Sequence, residues 1–311
     1  MSSTSSTLTA PGNSFSTLLR DYAELTKARV TTLVILTAWC GYYLGAVRSG
    51  VSSWSWGLLH ALLGIGLVSA GTAALNEVIE HEVDGQMHRT AQRPLPAGRM
   101  SFLHALTAGI VMTVGGSLYL GMALNALTGW LALGTAATYL LAYTPLKRVS
   151  PICTFVGAFP GAMPGVLGWT AIRGHLDIGA FILFSIVFVW QFPHFFSIAW
   201  LYREDYARGG IRMLPVVEED GRSTARRIIG YSILLIPVSL LPSFLGMAGR
   251  VYLVGALLLG AGLFFYSFRL SSLNAPVDAA VSKQRARQLL RATVLYLPLL
   301  FILMMSNALG V

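Results

Sequence analysis

The sequence predicts an all-α polytopic membrane protein with nine transmembrane helices and a cytoplasmic N-terminus. Composition is the first reason. Hydrophobic residues make up 55% of the 311 and charged residues only 11%, with a mean hydropathy of +0.65. A soluble domain carries about 25% charged residues, so a soluble core and a disordered chain are both excluded. The second reason is a set of apolar segments near the ~20 residues that cross a bilayer. They run 30–47, 55–76, 102–122, 127–145, 152–171, 178–200, 228–247, 251–270 and 290–309. The third is where the basic residues fall. With the N-terminus inside, only Arg48, Arg173 and Arg250 of the 22 Lys and Arg lie on the outer side. Cytoplasmic loops carry such an excess, and a missed or extra span in mid-chain would mix the two sets.

Residues 1–20 precede the first span. Met1–Thr17 is rich in Ser and Thr, has no apolar run and no arginine before Arg20. It therefore reads as a disordered cytoplasmic tail, neither a secretory signal nor a transit peptide. Residues 21–311 form a single membrane domain. Its fifth span holds the stretch Gly157-Ala158-Phe159-Pro160-Gly161-Ala162-Met163-Pro164-Gly165. Small residues let membrane helices approach closely, and prolines kink them, so this segment is read chiefly as packing. Cys40 and Cys153 are the two cysteines, and both sit in apolar surroundings that suggest neither zinc nor a disulfide framework. The net charge of +9 lies in the loops between spans. It fits membrane lipid headgroups and topology, and no nucleic-acid partner is implied.

The strongest chemical signal closes the second span: Asn76-Glu77-Val78-Ile79-Glu80-His81-Glu82-Val83-Asp84. Asn76, Glu80 and Asp84 recur every four residues, which stacks them on one helix face. Acids at a membrane interface must be solvated, paired or metal-bound. Mg²⁺ takes one or two carboxylates together with phosphate oxygens and water, so Glu80 and Asp84 are the expected ligands, with Asn76 orienting a ligand or water. Arg89 and Arg93 follow directly in Arg89-Thr90-Ala91-Gln92-Arg93-Pro94-Leu95-Pro96. Carboxylates backed by guanidinium groups suit a diphosphate held through Mg²⁺.

A second acidic segment, Tyr202-Arg203-Glu204-Asp205-Tyr206-Ala207-Arg208, follows the sixth span. Asp205 is expected to hold a second Mg²⁺, with Arg203 and Arg208 gripping phosphate oxygens. Lys147, in Tyr143-Thr144-Pro145-Leu146-Lys147-Arg148, faces the ladder or only sets topology; Lys27 and Arg29 carry the same ambiguity. His194 lies within the apolar run Trp190–Phe196. An ionisable residue at that depth is a functional candidate. Ligation of a haem iron, a propionate contact, proton transfer and plain helix packing all remain open for it. Four spans separate the two acidic segments. That spacing predicts two four-helix halves in parallel orientation plus a ninth helix.

The ladder Asn-x-x-x-Glu-x-x-x-Asp with Arg-Thr-x-x-Arg-Pro-Leu-Pro behind it resembles the intramembrane prenyltransferase superfamily. Further stretches narrow the resemblance: Leu25–Val30, Tyr143–Arg148, Gly157 through Trp169, and Trp190–Phe195 leading to Arg203–Tyr206 and Met213-Leu214-Pro215. Together they look like the protohaem IX farnesyltransferase family, from about residue 20 to 305. The resemblance implies a nine-helix bundle around a central cavity open to the cytoplasm, in a bacterial inner membrane. It implies transfer of a farnesyl group from farnesyl diphosphate to a vinyl group of haem B, giving haem O. It also implies a haem A synthase as the partner that takes the product. Asn76, Glu80 and Asp84 match its first diphosphate motif and Asp205 its second. Three positions depart: Ala28 stands where relatives often have Pro, Cys153 where they often have Asn, and Gly209 where the superfamily often has a second Asp. A full second metal site is put in doubt by the last.

Two competing functions remain at this stage. One is a prenyltransferase of the same superfamily acting on an aromatic quinone precursor; the Trp190–His194 stretch favours haem. The other is a secondary transporter, whose sites more often lie at the membrane midplane on broken helices. Here both acidic segments lie at span ends.

Overall fold

In the computed structural model, residues 15–273 and 275–310 are described. They form thirteen helical segments in the order α1 (Phe15–Leu25), α2 (Ala28–Arg48), α3 (Trp56–Gln86), α4 (Phe102–Ala123), α5 (Ala126–Ala137), α6 (Thr144–Leu146), α7 (Cys153–Arg173), α8 (Ile178–Leu201), α9 (Arg203–Arg208), α10 (Leu214–Val217), α11 (Arg222–Phe244), α12 (Arg250–Ser271) and α13 (Ala280–Ser306). A six-residue π-helical turn, Thr138–Tyr143, joins α5 to α6. Among the described residues nine helices are long and apolar enough to cross a membrane, counting Ala126–Leu146 as one. The chain is a multi-pass membrane protein.

Successive membrane spans pack side by side from α2 through α13, with α8 against α11, and α7 closes back onto α2 while α13 closes back onto α8. The α2–α7 seam is made of small residues. A Cβ on Gly41 would lie 2.0 Å from the Gly165 carbonyl oxygen, and one on Gly168 would lie 1.9 Å from that of Ala38. Only glycine permits that backbone approach, so the Gly/Pro-rich segment is a packing element, as its composition suggests. Polar groups inside the bundle pair between helices: Ser232 with Ser267, and Ser239 with Tyr296. In hydrocarbon such groups need internal partners.

Three expectations shift. The second span, expected over 55–76, continues as helix to Gln86, 31 residues in all. At 1.5 Å per residue that is about 46 Å, longer than the ~30 Å hydrocarbon core. Hence the acidic ladder stands on a helical extension beyond the apolar part. In the same way α11 and α13 begin at Arg222 and Ala280, because their basic first turns continue the helical register. Most of the expected disordered tail over 1–20 lies outside the described residues, but Phe15–Arg20 belongs to α1. That helix is amphipathic. It buries Asp21 and Leu25, and Arg99 holds Asp21 in an ion pair of 3.1 Å.

The α2–α7 seam generates a prediction. Gly168→Ala forces a methyl into the Ala38 carbonyl and is expected to cost at least ~1–3 kcal/mol, the usual penalty for overpacking. Thermal unfolding of the purified variant in detergent measures it; an unchanged melting temperature would refute the seam as a tight contact.

Candidate active site

The site is built at one end of the bundle, where the extension of α3 meets the π turn and α6. Asn76, Glu80 and Asp84 are all buried. Asn76 Nδ2 donates to Glu80 Oε2 at 2.8 Å, and Thr144 Oγ1 donates to Asn76 Oδ1 at 2.9 Å. Lys147 Nζ lies 2.6 Å from the Glu80 carboxylate. Arg93 Nη1 donates to Asp84 Oδ2 at 2.6 Å, and Thr90 Oγ1 to the Asp84 carbonyl at 2.8 Å. Asp84 Oδ1 has no hydrogen-bond partner among the described residues. The residues expected on one face thus form two adjoining polar groups, Thr144–Asn76–Glu80–Lys147 and Thr90–Asp84–Arg93.

The π turn explains why α5 delivers these groups. Pro145 has no N–H to continue an α-helical ladder. The Thr144 N–H instead reaches back five residues to the Tyr139 carbonyl, which lies 2.9 Å from the Thr144 hydroxyl too, so that the one hydroxyl proton is shared between Tyr139 and Asn76. Such π segments recur at functional sites. Here it turns Tyr139, Tyr143, Thr144 and Lys147 toward α3. The Lys147 ammonium lies 5.2 Å from the centre of the Tyr143 ring.

Sequence reasoning left two members of this cluster unassigned. Glu77 is fully buried and accepts the Leu95 N–H at 3.1 Å. Sitting one residue after Asn76, it falls about 100° round the helix, off the ladder face. No periodicity marks it. Its burial comes from the Pro94–Met100 loop folding over the helix end. Lys27 is the other. It takes a left-handed backbone, φ 47° and ψ 52°, between α1 and α2. For a residue other than glycine that conformation costs about 1–3 kcal/mol and clusters at functional sites. Burial and then the neighbouring Arg93 and Lys147 charges push its ammonium down to about 8, against the opposing pull of Glu80 and Asp84. The signal was present in the sequence as a lysine ahead of the first span, ambiguous with topology.

Asp205 stands apart from the ladder. It accepts the His88 N–H at 3.0 Å and the Arg89 N–H at 3.4 Å, and it pairs with Arg208 at 2.6 Å. Burial alone would raise its pKa, but Arg208 and the two backbone donors hold it below the usual carboxylate range. Among the described residues no three His, Cys, Asp or Glu side chains gather as a metal set. Asp205, expected at a second Mg²⁺, accordingly lies apart from Glu80 and Asp84. Both oxygens of Asp205 are occupied in fastening the turn that follows α3. Arg89 stacks over Tyr202 and Tyr206, 5.2 Å from each ring centre. Arg203 is turned away: it donates to the Glu218 carbonyl at 2.7 Å and lies 3.8 Å from Asp278. His194 sits between α8 and α13, stacked on Trp190 and 2.9 Å from Thr293 Oγ1. Cys153 is buried in an apolar cluster with Val83, Met87 and Tyr206. A cleft of about 450 Å³ opens beside the second segment, lined by Arg89, Leu201, Tyr202, Asp205 and Lys283 among others.

A helical membrane bundle with buried, cation-paired carboxylates at one end defines an intramembrane enzyme that handles a polyanion. The chain belongs to the UbiA prenyltransferase family, whose model matches residues 33–306. It is 60% identical to a protoheme IX farnesyltransferase of Koribacter versatilis, over 99% of both chains. A protein of the same name from Solibacter usitatus is 48% identical over 94% of this chain and 100% of that one. Among solved structures, digeranylgeranylglyceryl phosphate synthase superposes with a TM-score of 0.72 at 17% identity, covering 93% of this chain and 98% of the other. A UbiA homologue from Archaeoglobus fulgidus bound to DMAPP and Mg²⁺ gives a TM-score of 0.63 at 17% identity, covering 91% and 99%. These likenesses carry the fold.

Two expectations follow from the geometry. Lys27 loses its proton as pH rises through about 8, so kcat/KM for the anionic substrate is expected to fall through that range, and Lys27→Met is expected to abolish the limb. Lys27 is charged in the unfolded chain up to about 10.4. Its lowered folded value therefore costs stability below pH 8, and this cost disappears as pH rises toward the unfolded pKa. A pH–rate profile identical in the two proteins would remove Lys27 from the site. Secondly, Asp205→Asn is expected to raise KM several-fold and expose the Met87–Met100 segment to protease, with an unchanged Mg²⁺ dependence. A shifted Mg²⁺ requirement would restore Asp205 to the metal set.

Proposed function

We propose that this protein transfers the farnesyl group of farnesyl diphosphate to a vinyl group of protohaem IX, giving haem O and diphosphate. The reading is supported by the 60% identity across nearly the whole of a protoheme IX farnesyltransferase. The observation that carries the chemistry is the buried cluster in which Glu77, Glu80 and Asp84 face Lys27, Arg93 and Lys147. Three carboxylates against three cations leave the cluster near neutrality. A diphosphate entering it brings excess negative charge, so it must arrive with counter-cations. The donors present fit Mg²⁺, a hard cation that prefers oxygen ligands: the open Oδ1 of Asp84 and the Glu80 carboxylate would hold it, with the Asn76 amide oxygen nearby. When bound, Mg²⁺ neutralises charge on the diphosphate and makes it a better leaving group.

The chain's own residues then do the following. Lys147 and Arg93 exchange part of their carboxylate contacts for phosphate oxygens and, with Lys27 beside them, take up the charge that develops as the allylic C–O bond breaks. Arg89 and Arg208 flank the approach. The vinyl carbon of the haem attacks the allylic cation at its terminal carbon. Water adds to the resulting carbocation and releases a proton, leaving a hydroxyethylfarnesyl side chain. The apolar walls exclude water until that step and hold the prenyl chain. Placed in a bacterial inner membrane with the N-terminus cytoplasmic, as the basic-residue asymmetry supports, the site draws farnesyl diphosphate from the cytoplasm and haem from the bilayer. A haem A synthase is then the natural recipient of the product. The domain reads as two four-helix halves, each carrying an acidic segment after its second span, with α13 as the ninth span.

The test is mass spectrometry of haem extracted after incubation with haem B, farnesyl diphosphate and Mg²⁺. A species heavier by one farnesyl and one hydroxyl group, lost on adding chelator, is the expected result. No haem product from folded protein would move the acceptor to an aromatic quinone precursor. Asp84→Ala is expected to lower kcat at least ~10²–10³-fold, the scale of losing one charge-stabilising group, while leaving the detergent-solubilised fold intact. Turnover close to that of the unmodified protein would rule out Asp84 as a ligand.

A further inference from the structure

The geometry points to His194 as the residue that binds the iron of the acceptor haem, through Nε2. This inference rests on the function proposed above and names how the acceptor is positioned.

Hydrogen bonding fixes the tautomer. The single hydroxyl proton of Thr293 is given to the Leu290 carbonyl at 2.7 Å. Thr293 Oγ1 can therefore only accept from His194 Nδ1, 2.9 Å away, so Nδ1 carries the proton. Nε2 is left with its lone pair and has no hydrogen-bond partner among the described residues. A neutral imidazole anchored through Nδ1–H, with Nε2 free, is the form that ligates a metal. The ring is also held in place: it stacks on Trp190 at 4.7 Å and 18°, and Trp190 Nε1 donates to the Thr293 carbonyl at 2.9 Å. Binding haem iron here needs no proton to leave the imidazole.

The direction of the ring fits a large planar ligand. Trp190, His194, Ile198 and Leu201 share one face of α8 at helical spacing, and all four are half-buried. The same face is closed at the other end, where Leu183 and Val187 are buried. The opposite face carries Phe181, 61% exposed. The open stretch ends at Leu201, which lines the cleft containing Arg89 and Lys283. Seven residues separate His194 from Leu201, about 10 Å along the helix. A haem whose iron meets His194 would thus direct its two propionates into a cleft where Arg208 and Lys283 are paired with Asp205 and Glu204 and Arg89 is left without a carboxylate partner among the described residues. The Arg89 guanidinium there is stacked on two tyrosine rings and has no carboxylate pair among the described residues. Plain packing would equally bury the ring, but it would not require a free Nε2 on the half-open face.

The test uses the full chain in lipid nanodiscs, titrated with ferric haem B and followed by absorbance and electron paramagnetic resonance. The unmodified protein is expected to give a nitrogen-ligated spectrum. His194→Gly is expected to lose it, to bind haem at least tenfold more weakly, and to recover both spectrum and farnesyl transfer on adding free imidazole. Thr293→Val, which keeps shape but removes the acceptor for Nδ1–H, should weaken haem binding several-fold and guards against misfolding of the glycine variant. Unmodified protein that makes farnesylated haem while His194→Gly keeps the same spectrum and affinity would overturn the ligand and leave the function standing. Unmodified protein that binds no haem would overturn both.

Discussion

The buried charge at the end of α3 is the constraint on which the rest depends. A carboxylate removed from water is costly unless it is paired and hydrogen-bonded, and this chain buries Glu77, Glu80 and Asp84 within about two helical turns. Each needs its own compensation. Glu80 takes Lys147 and Asn76, Asp84 takes Arg93, and Glu77 takes the Leu95 N–H. Apart from Asn76, those partners come from Lys147 at the end of α6 and from the loop after α3, so satisfying the charges dictates where both segments lie. Asp205 fastens the start of that loop, and Arg99 ties its end to α1 through Asp21. The covering of the site is therefore an electrostatic consequence of the ladder.

The same arrangement suits the proposed chemistry. Before substrate arrives, Arg93 and Lys147 are held by Asp84 and Glu80 at 2.6 Å, and neither sign is in excess. An incoming diphosphate would compete for the cations, and the Glu80 and Asp84 carboxylates so released are the ones that would hold an accompanying metal. The two exchanges compensate each other, so ligand binding replaces one set of ion contacts by another inside a region of low dielectric. Little reorganisation of the backbone is then required at the moment the bond breaks. Preorganisation of this kind is where enzymes of low-dielectric sites gain most of their advantage.

Much of this was legible in the sequence, for reasons that differ by residue. The nine spans were readable because hydrophobicity and loop charge are independent signals that agreed. Asn76, Glu80 and Asp84 were readable because a period of four survives wherever the helix is regular. Helix ends were less so: α3, α11 and α13 run past their apolar parts because charged residues are good helix formers too. The π turn was not readable, since it depends on Thr144 finding the Tyr139 carbonyl once Pro145 has withdrawn a donor. Arg203 was misdirected by spacing alone; proximity in sequence to Asp205 does not say which way a long side chain turns, and Glu218 offered it a carbonyl. Glu77 and Lys27 owe their positions to segments folding over them, which no local pattern encodes.

The π turn has one more consequence. A turn of that kind holds an extra residue relative to the regular helix around it. Removing a single residue between Thr138 and Tyr143 would let α5 run straight into α6 without any loss of apolar length, and the span would still insert. Everything beyond would be rotated by about 100°, carrying Lys147 away from Glu80 and Thr144 away from Asn76. The fourth span therefore tolerates many changes of letter but hardly any change of count, and a one-residue deletion there would give a well-assembled bundle with its two motifs no longer addressed to each other.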